Sequence, residues 1–171
     1  DVSRWTIGYI LGIEWDGNFV KNTNNRHPEI TQYTGTYLKT EHANPFEVFL
    51  AQTGEAAIAY ETEKYQEQRM IAFSNWPTTD PLYHSSEEAS VNLAEVDVEH
   101  IKSTSKFYSG QFASYHVYPY YPDFFEFQKE YLLPLADGSV NPYKVYLQKI
   151  TAHHTMPVVI SEYGVPSSRG I

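Results

Sequence analysis

The stretch PVVISEYGVP, residues 157–166, decides how the rest of the chain is read. Val158, Val159 and Ile160 form a short β-branched run, the pattern of a strand buried on both faces, and the run delivers Glu162 just before Tyr163 and Gly164. An ionised carboxylate buried without a partner is costly, so a glutamate at the end of such a strand is either paired or put to use.

Working outward, three more stretches share this form: WTIGYILGIEW (5–15), RMIAFSNWP (69–77) and GQFASYHVYPYY (110–121), beside MPVVISEYGVP (156–166) itself. Each is a nearly continuous apolar run that closes on polar or aromatic residues and then Gly or Pro, as parallel strands covered on both faces do. Between them, residues 44–68 read as a helix, with Asn44 as cap, Pro45 at the first helical position and Glu47 in capping-box position. Gly54 weakens that helix, at about 1 kcal/mol against alanine. Residues 141–155 repeat the Asn-Pro opening, and a third helix is expected within 123–138, stopped by Pro134 and Gly138. Residues 79–110 read as a long polar loop with a short strand at AEVDV, 94–98. The order, strand-helix-strand-loop-strand-helix-strand, is that of a parallel α/β domain over 1–171.

Composition narrows the function. The chain has 171 residues, 42% hydrophobic and 19% charged, enough to bury a core. A net charge of -9 argues against a nucleic-acid partner, which needs clustered Lys and Arg. The absence of cysteine excludes disulfides, thiolate zinc sites and cysteine nucleophiles. No apolar run approaches the roughly 18 residues of a membrane span. The start at DVSRW, without an initiator Met, reads as that of an excised or processed piece, and the compartment stays open with a lean to an extracytoplasmic or secreted setting. Tyr 15, Phe 9 and Trp 3 make the chain 16% aromatic, which suits core filling and sugar stacking alike.

Each strand end carries polar chemistry: Glu14 with Trp15, Asn75 with Trp76, His116 with Tyr118, and Glu162 with Tyr163. In parallel α/β folds the ligand site lies beyond the carboxyl ends of the strands, so these groups are expected in one pocket. Two carboxylates there can divide the cleavage of a glycosidic bond, one protonating the leaving oxygen while the other attacks the anomeric carbon or activates water. Trp15, Trp76, Tyr120 and Tyr163 are the candidate sugar-holding rings.

Here the chain resembles a known group. VVISEYG is similar to the seventh-strand nucleophile segment of retaining clan A glycoside hydrolases, YHVYPYY to the His-x-Tyr element on the sixth strand of family 5 enzymes, and YILGIEW sits where the fourth-strand acid/base belongs. The resemblance is to the TIM-barrel domains labelled family 5 or family 2. It implies a partial (β/α) barrel of about four strands with flanking helices, corresponding to strands four to seven. It also implies Glu162 as nucleophile and Glu14 as general acid/base, with His116 and Tyr118 orienting Glu162, a β-linked sugar as substrate, and no cofactor. Two departures stand out. The clan places Asn before the acid/base, whereas this chain has Ile13, so either Asn75 substitutes or activity is lost. A complete barrel needs about 250 residues, so the remainder of a barrel or a second copy is expected to cover the sheet edges.

No metal site is expected. His153 and His154 are neighbours on a helix, where adjacent positions point apart, and His27, His42, His84 and His100 lack ligand spacing. Asp97 and Glu99 either send one carboxylate to the pocket or belong to a half-exposed strand. A noncatalytic carbohydrate-binding or structural barrel module is the competing reading.

Overall fold

The computed structural model describes residues 2–84, 93–119, 121 and 124–164. Its elements in chain order are β1 (Gly8–Leu11), α1 (Gly17–Arg26), β2 (Leu38–Thr40), α2 (Pro45–Tyr65), β3 (Met70–Asn75), β4 (Ile101–Ser103), β5 (Ala113–His116), α3 (Phe124–Phe127), α4 (Pro142–His153) and β6 (Val158–Glu162). The four expected strands form one parallel sheet in the order β1-β3-β5-β6, and helices flank it: the α/β architecture of a partial parallel barrel. A separate antiparallel pair joins β2 to β4.

Local chemistry explains the helices. Asn44 accepts from the Glu47 N–H at 3.0 Å while the Glu47 carboxylate accepts from the Asn44 N–H at 2.8 Å, so both halves of the capping box form at the start of α2. Asn141 likewise caps α4 by accepting from the Lys144 N–H. Gly54 owes its place to packing. A Cβ there would lie 2.8 Å from Cζ of Phe73 and 2.9 Å from Cδ1 of Leu38, so glycine lets α2 approach the sheet.

The register separates two faces of the sheet. Tyr9 pairs with Ile71, Leu11 with Phe73, Asn75 with Tyr115 and Tyr115 with Ile160, and this set turns toward the helices. There it meets Phe46, Leu50 and Ile58 of α2, Tyr146 and Ile150 of α4, and Val96, Val98 and Ile101, which fill the gap between them, in one continuous core. Ile10 with Ala72, Ser74 with Ser114, and Ser114 with Val159 share the other face by the alternation of a strand.

Several expectations change. The central strands β3 and β5 are buried on both faces, as expected, whereas the edge strands are not: Val159 in β6 is 42% exposed and Ile10 in β1 is 44% exposed. Residues 94–98 form no strand, because the Asp97 side chain accepts from the Glu99 N–H and caps a 3-10 turn at Val98–His100; the strand comes just after it. The third helix shrinks to the four residues of α3 and a 3-10 turn at Lys129–Tyr131. An unexpected helix, α1, starts where Asp16 accepts from the Phe19 N–H.

Candidate functional site

Glu14 sits three residues past the end of β1, in a turn made possible by Gly12, whose φ is 94°. A Cβ at Gly12 would fall 2.0 Å from the Trp15 ring, so only glycine lets the indole fold back over the backbone. Trp15 is thereby fixed: its N–H donates to the Ser74 carbonyl at 2.8 Å, its ring meets Phe46 edge-on at 5.3 Å, and its own carbonyl accepts from the Trp76 indole at 2.9 Å. The rigid neighbour holds Glu14 at the mouth of the sheet.

Glu162 reaches the same place through an irregularity. Tyr115 pairs with Ile160, but His116 pairs with Glu162, so Ser161 is an extra residue in β6. In regular alternation Glu162 would follow Val158 and Ile160 toward the helices. The bulge turns it instead to the face of Ser114 and His116, the re-aiming that bulges provide beside binding sites. Ser161 Oγ and Ser114 Oγ, 2.7 Å apart, pin the bulge.

His116, at the end of β5, joins the two carboxylates. Its Nδ1 lies 3.3 Å from Glu14 Oε1 and 3.4 Å from Glu162 Oε2, and only a protonated Nδ1 can serve both acceptors. Its Nε2 lies 3.4 Å from Ser74 Oγ. The Tyr118 hydroxyl donates to Glu162 Oε1, so two donors from the end of β5 hold this carboxylate. One oxygen of each glutamate and one nitrogen of His116 lie within 4.8 Å of one another. The site is open: the side chains of Glu14, Glu162 and His116 are 34%, 48% and 15% exposed.

The other sequence candidates are placed differently. Asn75 is fully buried on the core side, its Nδ2 donating to the Val96 carbonyl and its Oδ1 accepting from Thr79 Oγ1 and the Trp76 N–H. Trp76 stacks on Tyr121 with centroids 5.9 Å apart, forming an aromatic pair beside the strand ends. Tyr163 is exposed next to Glu162. Tyr120 lies outside the described residues.

Asp97 and Glu99 do not join this group. Asp97 meets His153 at 2.9 Å, and Glu99 accepts from the Thr155 N–H and hydroxyl, on the helix side of the sheet. Sequence reasoning missed Ser74, Ser114 and Ser161. Their alternation against Phe73, Tyr115 and Ile160 is the signal that assigns them to the open face.

An apolar groove lined by Phe19, His27, Ile30, Val48 and Phe49 lies between α1 and α2, apart from the carboxylates. No helix among the described residues is long and apolar enough to cross a membrane. No family model, curated protein or solved structure matches the chain.

Proposed function

We propose that this chain carries the site of a retaining glycoside hydrolase acting on β-linked sugars. The carrying observation is the approach of Glu14 and Glu162 around one imidazole, with contributing oxygens no more than 4.8 Å apart. An oxygen-to-oxygen approach of this kind is compatible with the roughly 5–5.5 Å carboxyl spacing of retaining enzymes.

In this reading Glu162 Oε attacks the anomeric carbon as Glu14 gives its proton to the departing oxygen. A glycosyl ester forms and the glycosidic bond breaks. Water, deprotonated by Glu14, then cleaves the ester and restores both groups. Tyr118 and His116 orient Glu162 for attack, and Trp76 with Tyr121 and the exposed Tyr163 offer ring faces to the sugar. Asn75 cannot supply the amide that the resemblance calls for, since its polar atoms are all engaged inside the core. The open edges of β1 and β6 suit the remainder of a barrel or a second copy, whose walls would close the site.

A second reading draws on the same triad. Glu14, His116 and Glu162 would supply three ligands to a metal ion if one binds there. In a noncatalytic carbohydrate module, by contrast, the rings bind sugar and the carboxylates do no chemistry.

Hydrolysis of an aryl β-glycoside by the completed barrel, as wild type, Glu162→Gln and Glu14→Ala, separates these readings. Glycosidase action predicts loss in Glu162→Gln. It also predicts that Glu14→Ala lowers kcat/KM for poor leaving groups by about 10²–10⁴ while sparing kcat/KM for activated ones, whose glycosyl ester then accumulates for want of the base. Activity that survives in Glu162→Gln overturns the nucleophile assignment. Activity abolished by chelator and restored by a divalent ion selects the metal reading. Sugar binding without turnover in wild type selects the module.

A further inference from the structure

The helix side of the sheet holds a second cluster of ligand-type side chains, between the turn at Asp97 and the end of α4. We propose that Asp97, His153 and His154 bind one divalent transition-metal ion, with zinc as the best chemical fit. One carboxylate oxygen and one nitrogen from each imidazole lie within 4.8 Å of one another, and Asp97 Oδ2 is already 2.9 Å from His153 Nε2. Ligands at about 2.0–2.2 Å around a tetrahedral ion stand about 3.3–3.6 Å apart, so the three atoms close on an ion by drawing inward.

The expectation that adjacent histidines point apart fails for a local reason. α4 ends at His153, and His154 takes an extended backbone with φ -86° and ψ 143°. The two rings therefore meet edge to face, 5.1 Å between centroids, instead of diverging around a helix.

The surrounding bonds prepare the ligand atoms. Asp97 Oδ1 accepts from the Glu99 N–H at 2.9 Å, which leaves Oδ2 for the ion. Glu99 accepts from the Thr155 N–H and hydroxyl, both at 2.8 Å, and sits 3.2 Å from His154 Nδ1. As an acceptor it fixes the proton on Nδ1 and frees the Nε2 lone pair, which now receives the Tyr115 hydroxyl at 2.8 Å and would exchange it for the metal. An imidazole that donates its other N–H to a carboxylate is the usual outer arrangement of a metal-bound histidine.

His100 adds a reserve ligand. Its Nε2 is 4.0 Å from Asp97 Oδ2, and its Nδ1 is held 2.8 Å from buried Glu47. The His153 side chain is 30% exposed and gives the ion a way in from solvent. Two imidazoles with one carboxylate favour zinc and its first-row neighbours over calcium or magnesium, which prefer all-oxygen sites.

The test is calorimetric titration of zinc chloride into the chelator-treated chain. The proposal expects one equivalent of zinc whose affinity falls by about 100-fold or more in His153→Ala and Asp97→Asn, beyond the roughly 10–100-fold of an outer-partner change. That equivalent persists in Glu162→Gln, which separates it from the other triad and makes the outcome independent of the glycosidase reading. His153 is exposed, so its variant keeps the core and decides the matter even if Asp97→Asn misfolds. Absence of zinc binding by wild type, wild-type affinity in His153→Ala, or loss in Glu162→Gln with retention in His153→Ala overturns the proposal. Cobalt(II) gives a second readout: intense visible bands in wild type that vanish in His153→Ala.

Discussion

Phe73 and Ser74 are neighbours on β3, each 1% exposed, yet they belong to regions of opposite character. Phe73 turns to α2 and Leu38, where large apolar side chains interlock. Ser74 turns to the open face, where it meets His116 and, across the register, Ser114. The covered face gathers aromatic and branched side chains, whereas the open face carries Ala72, Ser74 and Ser114 at its centre with Ile10 and Val159 at its edges, and the strand ends beyond it carry Glu14, His116 and Glu162. One face packs against the helices, and the other leads to the cluster of carboxylates and imidazole at the strand ends. Equal burial therefore conceals unequal jobs, and substitutions on the two faces should separate stability from activity.

The largest effect belongs to Phe73→Ala. Removing a buried aromatic ring leaves a cavity against α2, for an expected loss of about 3–5 kcal/mol in urea unfolding. A loss below about 1 kcal/mol would mean that α2 collapses freely onto the sheet, and the covered face would no longer count as the rigid one. Next comes Gly54→Val, which pushes side-chain atoms into Phe73 and Leu38. Overpacking here should cost about 1–3 kcal/mol, despite valine's freedom from the glycine helix penalty. A stabilised Gly54→Val would show that the close approach of α2 is incidental.

How much of this was legible depends on whether the cause is local. The four strands could be read because each is an apolar run with a polar end. α2 and α4 could be read because Asn44-Pro45 and Asn141-Pro142 announce them. α1 escaped notice because Val20 is its one buried large apolar residue, too little for a stripe. The exposure of Val159 and Ile10 could not be read, since burial belongs to neighbours and not to the run itself. The convergence of Glu14, His116 and Glu162 was expected from strand ends, but the device that delivers Glu162 was not. The extra residue at Ser161 is a property of pairing with β5 and leaves no mark in the sequence of β6. Trp15 likewise looked like a free sugar platform until the turn at Gly12 folded it onto Phe46.

Ser74→Ala sharpens the contrast from the other face. It removes one hydroxyl 3.4 Å from His116 Nε2 and no packing volume of consequence. Stability should fall by about 1 kcal/mol or less. If His116 orients the carboxylates, turnover of an aryl glycoside should drop by up to about tenfold, with KM little changed. A variant that loses several kcal/mol and keeps full turnover would assign Ser74 to the scaffold and blur the two faces.

The smallest effect tests a polar exception on the covered face. Asp80 is 3% exposed and accepts from the Tyr146 hydroxyl at 2.6 Å and the Leu82 N–H at 2.8 Å, with His84 Nε2 at 2.9 Å. Burial pushes its carboxyl above the ordinary value of 3.8, although His84, Tyr146 and the Leu82 N–H pull the other way. A raised folded-state value means that the folded chain holds the proton longer than the unfolded chain. Stability from this group is present below 3.8 and is lost as pH rises through the folded value. In Asp80→Asn that slope disappears, so the stability difference between variant and wild type should shift in the variant's favour from about pH 4 upward, read by urea unfolding at stepped pH. His84 faces both Asp80 and Tyr131, so Asp80→Asn should be paired with His84→Gln to separate the two groups. If the difference between wild type and Asp80→Asn stays flat with pH in both backgrounds, the hydrogen bonds around Asp80 offset its burial in full. The covered face would then tolerate a charge as readily as the open one.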